Sequence, residues 1–329
     1  MVNRDCSIIR NRVEWIDLAK AIAIMLMVIG HSNVPLYIDK WIHSFHMPLF
    51  FLVSGFLFVP DKYSCKSFLR IKTKLLFIPY FFWGGIICLF SNVIPYDGFP
   101  TQNPLQILIH GSGFGIWFLA ILFCVEFIWI LLVNFSKRFI LRKFLDLTIL
   151  FISLLGFFFD RWGILFPYRL EIVPMGLLFY YLGICLKKYS NGKINQINIY
   201  LVGFLFLLQM QLSIQQTPFL DMYYNHWGEG LSTIFTSLLG IYVLIQLSII
   251  IQNKVNRRIK VPLLWLGKNT IVVVCCSQLY MIILKFLFDN IGIPNLIGWP
   301  IRFFLMWVLL IGTTITFTKY APILIGKKH

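Results

Sequence analysis

Long apolar runs separated by short polar segments dominate the pattern of this chain. A helix needs about 20 apolar residues to cross the hydrocarbon of a bilayer. The runs predict an all-α polytopic membrane protein, a single domain over residues 1–329 with about ten transmembrane helices. The predicted spans are 16–36, 45–60, 75–95, 115–135, 144–160, 170–187, 197–213, 230–251, 262–286 and 300–320. The basic N-terminus precedes the first run without a small-residue cleavage pattern, so we expect a retained helix there and not a signal peptide.

Composition excludes a soluble protein. Of the 329 residues, 59% are hydrophobic and 13% are charged, and the mean hydropathy is +0.80. A soluble domain of this length needs far more polar surface. The seven cysteines lie mostly inside apolar runs and form no CxxC pair, so neither a disulfide framework nor a cysteine metal site is indicated.

The net charge of +16 arises from basic clusters between the runs, a pattern that orients a membrane protein and does not point to nucleic acid. With ten spans, 23 of the 29 Lys and Arg residues fall on one side. Loops 96–114 and 214–229, on the other side, contain none. The positive-inside rule therefore predicts cytoplasmic termini and a multi-pass protein of the inner (cytoplasmic) membrane.

Three ionisable residues interrupt the first run, WIDLAKAIAIMLMVIGHSN: Asp17, Lys20 and His31. Charged groups inside a span are costly and are therefore functional candidates. At about 100° per residue, Lys20 lies about 20° and Asp17 about 40° from His31 around the helix axis. We expect all three on one face that points into the bundle, with His31 about 20 Å beyond Asp17.

His43 and His46 begin the next span, with Pro48 in the first turn of that helix, and can approach His31. Three interpretations are open. Asp17 and Lys20 could form a simple ion pair, with His31 only hydrogen-bonded between helices. A zinc site of His31, His43 and His46 has no obvious fourth ligand. A neutral His31 acting as general base for a hydroxyl suits this location better.

Arg70, Lys72 and Lys74 form a basic cluster in the predicted loop between the second and third spans. Such clusters bind phosphoryl groups, but ordinary positive-inside charge explains most of them. The same alternatives apply to Arg257, Arg258 and Lys260.

The chain resembles the membrane-bound acyltransferase 3 family, whose first helix has an Asp, a basic residue three positions later and a His fourteen after the Asp. Asp17, Lys20 and His31 match this pattern. A basic motif before a proline follows. Further landmarks of the resemblance, in order, are Phe50, Phe51, Ser54, Gly55, Pro79, Trp117, Phe118, Leu119, the segment 173–188 and Leu266 to Thr270. The family often carries a later His about ten residues after the Gly of the LGKN segment. Here Ser277 stands in that place, followed by Gln278, which is the candidate polar substitute.

The resemblance implies O-acylation, most often O-acetylation, of a hydroxyl on a cell-surface or exported polysaccharide. The implied donor is an acyl-coenzyme A such as acetyl-CoA, and no metal is expected. In this interpretation Arg70, Lys72 and Lys74 hold the donor phosphates, although Lys72 and Lys74 lack the bidentate fork of arginine.

The implied catalytic group is His31, as general base or as a transient acyl carrier, with Asp17 and Lys20 ordering the inner end of its helix. His46, Trp117, Glu126 and Gln278 are the candidates for binding the acceptor. For Glu126 the simple alternative is a hydrogen bond to a Ser or Tyr of another helix.

Two other functions remain open at this point. One is a glycan or lipid-linked sugar transporter or flippase, against which the absence of an internal repeat and of paired broken helices argues. The other is a catalytically inactive membrane partner, which the missing late His allows. The residues do not specify the acceptor sugar, the acyl group or the oligomeric state.

Overall fold

The computed structural model describes residues 13–32, 34–59, 65–94, 114–138 and 144–327. Helices account for nearly all of the regular structure in these ranges. In chain order they are α1 (Glu14–Gly30), α2 (Leu36–His43), α3 (His46–Phe56), α4 (Cys65–Lys72), a π-helical turn (Thr73–Phe77), α5 (Ile78–Val93), α6 (Trp117–Arg138), α7 (Leu145–Arg161), a 3-10 turn (Pro167–Ile172), α8 (Val173–Tyr189), α9 (Ile199–Gln215), α10 (Leu231–Lys254), α11 (Arg257–Lys268), α12 (Thr270–Ile291), α13 (Asn295–Tyr320) and a final 3-10 turn (Pro322–Ile325).

Within the described ranges, six segments are long and apolar enough to cross a membrane, which confirms a polytopic all-α protein. They are Cys65–Ser91, Trp117–Phe135, Pro167–Tyr189, Leu231–Lys254, Thr270–Ile291 and Ile297–Tyr320. The other four predicted spans fall on helices of at most 17 residues: α1, α3, α7 and α9. Ten spans and cytoplasmic termini therefore stay predictions, and residues 1–12 and 328–329 lie outside the described part.

The first predicted span, 16–36, is wrong at its end. Helix α1 stops at Gly30, and a separate helix α2 begins after Pro35. Helical geometry is disfavoured for the residue before a proline, so Val34 does not continue α1 and a separate helix begins after Pro35.

The second predicted span, 45–60, is also too long. Helix α3 has 11 residues and ends at Phe56, although Pro48 does lie in its first turn. At 1.5 Å per residue such a helix covers about half of the hydrocarbon thickness.

Two further boundaries differ from the predictions. The basic cluster predicted as a loop is helical, because α4, the π-helical turn and α5 follow one another without a break. No proline or glycine interrupts residues 65–78. In contrast, the predicted span 262–286 is broken at Asn269, whose side-chain amide donates to the carbonyl of Trp265 at 2.6 Å. Asparagine offers the backbone such an alternative to helix continuation.

Close helix packing at glycines holds the core together. A Cβ on Gly55 would lie 1.8 Å from the carbonyl oxygen of Tyr180, and one on Gly183 would lie 1.9 Å from that of Leu52. Helices α3 and α8 therefore cross with their backbones in contact, the geometry that small residues permit in membrane helix pairs. The resemblance landmark Gly55 thus has a packing role.

A short antiparallel hairpin departs from the helical pattern. Strands β1 (Leu220–Asp221) and β2 (His226–Trp227) pair in the predicted loop 214–229. Asp160, near the end of α7, accepts hydrogen bonds from the backbone N–H of Trp227 at 2.9 Å and from the ring of His226 at 3.1 Å. The hairpin is thereby fixed to the helical bundle.

Candidate functional site

Three histidines meet where α1 ends. His31 follows the last residue of α1 and its backbone N–H still donates to Met27. The ring centroids of His31 and His43 are 5.9 Å apart, and those of His43 and His46 are 4.9 Å apart. The prediction that His43 and His46 approach His31 is therefore confirmed, with His43 on α2 and His46 opening α3.

The position of His31 is fixed by its neighbour. The Ser32 hydroxyl donates to the carbonyl of Val28 at 2.7 Å, and the Ser32 carbonyl accepts from the indole of Trp299 at 3.1 Å. These bonds secure the end of α1 against α13, although the chain turns immediately afterwards. The His31 side chain is exposed to the adjoining cavity.

A cavity of about 450 Å³ opens at these rings, and we call it the histidine cavity. A smaller recess continues from it towards His46 and Met47. The residues that line the histidine cavity are Gly30, His31, Val34, Asp39, His43, Phe114, Gly115, Trp117, Asp221, Tyr223, Tyr224 and Gln278. The mixture of aromatic faces and a few convergent polar groups is typical of a small-molecule site.

Four sequence candidates share this space. His31, Trp117 and Gln278 line the histidine cavity, and His46 lines the recess with His31 and Trp117. The Gln278 carbonyl oxygen accepts from the backbone N–H of Gly115 at 2.8 Å, which fixes the side chain at the cavity wall. Gln278 thus occupies the polar position that the missing late His suggested.

The tautomers of two rings follow from their contacts. His46 Nδ1 lies 2.8 Å from the carbonyl oxygen of Ile42, so it must carry a proton and donate. His43 Nδ1 lies 3.0 Å from the backbone carbonyl of Asp39 and 2.9 Å from its carboxylate. A carboxylate that fixes a histidine tautomer in this way is a recurrent arrangement in acid–base sites.

The charge state of His43 is set by its surroundings outside the predicted spans. Burial of the ring disfavours protonation, but the hydrogen bond that the ring donates to Asp39 and the charges of Asp221 and Asp39 outweigh it and raise the pKa of His43. Burial acts against ionisation of Asp39 too, yet the hydrogen bond and charge of His43 lower the pKa of Asp39. The contact therefore favours the charged forms of both side chains.

Asp17 and Lys20 lie away from the histidine cavity. They form an ion pair of 2.9 Å, as the simple interpretation of these two residues predicted. A Cβ on Gly267 would lie 1.8 Å from the carbonyl oxygen of Asp17, so α11 packs directly on this turn of α1. The pair therefore lies at the start of α1, far from His31 along the helix axis, and its role in ordering this end of the helix stays a prediction.

The three residues of the basic cluster, Arg70, Lys72 and Lys74, differ in their contacts. The Lys72 ammonium lies 2.7 Å from both carboxylate oxygens of Glu126, and Glu126 is buried. Glu126 does not line the histidine cavity, and its partner is Lys72 and not the Ser or Tyr of the simple alternative. Arg70 and Lys74 are exposed.

A metal site finds no support among the described residues, since no three His, Cys, Asp or Glu side chains in those ranges are arranged to hold an ion. His43 and His46 each direct Nδ1 to a carbonyl, which removes those nitrogens from ligation.

Sequence reasoning missed the carboxylates and tyrosines of the cavity: Asp39, Asp221, Tyr223 and Tyr224. Three of these belong to the segment DMYYNHW, whose loop, 214–229, is distinguished in the sequence analysis only by the lack of Lys and Arg. Its concentration of aromatic and polar residues was the available signal, because binding residues are often carried by loops on a rigid scaffold.

Comparison with known proteins identifies the family. The model of an acyltransferase domain, that of acyltransferase 3, matches residues 13–318, which is most of the chain. Neither the curated proteins nor the solved structures that were compared with the chain gave a match. The matched region includes α1 with His31, the hairpin and every helix that lines the histidine cavity. The chain belongs to the acyltransferase 3 family and is a membrane acyltransferase.

Proposed function

We propose that the protein is an O-acetyltransferase that moves the acetyl group of acetyl-CoA to a hydroxyl of a cell-surface or exported polysaccharide. The observation that carries this proposal is the position of His31, exposed in a cavity lined by aromatic rings and polar groups. Family membership supplies acyl transfer. The cavity wall supports a sugar acceptor, because ring faces and hydroxyl-binding groups suit a pyranose.

His31 acts as the general base in this proposal. The imidazole takes the proton of the acceptor hydroxyl, whose oxygen attacks the thioester carbonyl. A new C–O bond forms, the C–S bond breaks, and the departing thiolate takes the proton back from the His31 imidazolium. A positioned acid–base group of this kind contributes roughly 100-fold to 10,000-fold in rate.

The donor phosphates bind at the basic cluster. Arg70 and Lys74 are the proposed ligands, since their side chains are exposed while Lys72 is bound to Glu126. The positive-inside pattern supports a cytoplasmic position for this cluster and the opposite side for the histidine cavity. The thioester arm would then cross the bundle to reach His31.

Release of coenzyme A thiol tests the proposal. Membranes that contain the protein are mixed with acetyl-CoA and the polysaccharide of the source cell, and the isolated polysaccharide is analysed for acetyl groups by mass spectrometry. We expect His31→Ala to lower acceptor-dependent thiol release at least about 100-fold. The control is Tyr200→Ala, which removes an exposed ring of α9 that lines neither the histidine cavity nor its recess.

Unchanged thiol release in His31→Ala would show that His31 is not the base. Movement of labelled glycan across the membrane without thiol release would replace the proposal by a flippase.

A further inference from the structure

The lining of the histidine cavity carries negative charge. It includes two carboxylates, Asp39 and Asp221, and among the described lining residues it includes no Lys or Arg. The sequence adds no cation from the flanking loops either, because 96–114 and 214–229 contain neither Lys nor Arg. Any group that enters the cavity therefore meets acidic and aromatic surface.

One of the two carboxylates already has a counter-charge. The Asp39 carboxylate lies 2.9 Å from the ring of His43, and this contact helps to raise the pKa of His43. The charge of Asp221 also helps to raise the pKa of His43, but among the described residues Asp221 forms no ion pair, and it is held rigidly. Its Oδ1 accepts from the backbone N–H groups of Tyr223 at 2.9 Å and Tyr224 at 3.4 Å. Within the described ranges its second oxygen has no hydrogen-bond partner and is left for a ligand.

Two cations near the hairpin are engaged elsewhere. Arg169 stacks on the ring of Tyr223 at 4.5 Å and lies 3.6 Å from the buried carboxylate of Glu171. Lys40 donates to the carbonyl of Gln216 at 3.1 Å and to the hydroxyl of Thr217 at 3.0 Å. Neither side chain lines the histidine cavity, although Arg169 contacts the ring of Tyr223, which does.

Two aromatic rings line the same cavity as Asp221. Trp117 and Tyr223 line the same cavity with their ring centroids 6.0 Å apart. Such rings provide apolar faces for the C–H groups of a sugar, while a fixed carboxylate accepts hydrogen bonds from its hydroxyls.

We propose that Asp221 is the acceptor-selecting residue, and that it directs the enzyme to an uncharged sugar and excludes sugars that carry a carboxylate or a phosphate. This inference rests on the proposed function. A site discriminates between ligands by repulsion as well as by attraction. A fixed carboxylate attracts the hydroxyls of an uncharged sugar by hydrogen bonding and repels the charge of an anionic sugar. Its backbone hydrogen bonds keep it from moving away from an incoming anion.

The size of the effect follows from Coulomb's law. Two unit negative charges about 5 Å apart repel each other. This repulsion weakens binding of a charged acceptor about 4-fold at a dielectric constant of about 80, and about 250-fold at a dielectric constant of about 20. A half-open cavity lies between these limits. We expect about a tenfold or larger preference for the uncharged acceptor.

Matched glycoside pairs provide the test. Membranes with the full chain receive acetyl-CoA and either methyl glucoside or methyl glucuronide, and likewise methyl galactoside or methyl galacturonide, and acetylated product is measured. Asp221→Asn removes the charge and keeps an oxygen that can accept from Tyr223 and Tyr224. Glu229→Gln is the matched control, since Glu229 is an exposed carboxylate of the same loop that lies outside the cavity.

The wild type should acetylate the neutral member of a pair at least about tenfold better, and Asp221→Asn should lower that ratio several-fold while Glu229→Gln leaves it unchanged. A uronide acetylated as well as its neutral partner, or a ratio that Asp221→Asn does not change, overturns the role of Asp221 while acetyl transfer itself stands. Absence of acetyl transfer to every glycoside and to the cell's own polysaccharide overturns the proposed function instead.

Discussion

Lys72 can serve either the stability of the protein or the binding of its donor, and its contact with Glu126 favours stability. The two side chains are 25% and 7% exposed, and the ammonium lies 2.7 Å from each carboxylate oxygen. Lys72 reaches Glu126 from α4, so the bond joins the basic helix to α6. We predict that Lys72→Met destabilises the protein mainly by leaving the Glu126 carboxylate buried and unpaired.

The expected magnitude comes from the burial of the pair. Removal of one partner of a buried ion pair costs about 3 to 5 kcal/mol, and the partial exposure of Lys72 indicates the lower end, about 3 kcal/mol. Glu126→Gln should cost less, about 1 kcal/mol, because the long Lys72 stem can carry its charge to water. The double variant Lys72→Met/Glu126→Leu should recover most of the loss, since apolar groups can replace a buried pair at little cost.

Thermal unfolding in detergent measures these differences. At about 2 °C per kcal/mol for a chain of this size, Lys72→Met should lower Tm by about 6 °C. Lys66→Met is the control, because Lys66 is an exposed lysine on the same helix. If Lys72→Met and Lys66→Met unfold at the same temperature while only Lys72→Met raises the KM for acetyl-CoA tenfold, Lys72 binds the donor and the reasoning from the ion pair is refuted.

Two other predictions concern helix packing and pH. Gly55→Ala should destabilise the protein by about 1 to 3 kcal/mol or more, because its Cβ would overlap the backbone carbonyl of Tyr180. The control is Gly203→Ala on α9, which has open space around it and should be neutral or slightly stabilising. Equal Tm values for the two variants would contradict the close packing at Gly55. Asp39→Asn should lose the stability that the pair with His43 provides. That stability is complete between the ordinary values of 3.8 for Asp39 and 6.5 for His43, and it fades as pH rises through the raised pKa of His43 or falls through the lowered pKa of Asp39. The Tm difference between wild type and Asp39→Asn, measured from pH 5 to pH 9, should therefore shrink on the alkaline side, and a constant difference would disprove the linkage.

Apolar run length predicted the long helices of this chain but not the short ones. A run of 20 apolar residues is stable in lipid as a helix, because a helix forms all of its backbone hydrogen bonds within the segment. The run 45–60 looks similar, yet its helix ends at Phe56, and its 11 residues cover only about half of the hydrocarbon thickness. Boundaries such as Gly30 and Asn269 depend on a proline or on a single side-chain bond, and hydropathy averages do not register either.

Only part of the candidate site was open to sequence reasoning for a related physical reason. Hydropathy marks His31 because an ionisable group within an apolar run is costly. The next span starts on the side where the first one ends, so its first histidines come to the same end of the bundle. Asp221 has no such mark, since it lies in a polar loop where a carboxylate is expected. It reaches the cavity because Asp160 fixes the hairpin to α7, and that is a tertiary contact. Charge and hydropathy indicate whether a residue lies in water or in lipid. The chemistry of this site depends instead on which side chains are brought into contact by the tertiary structure.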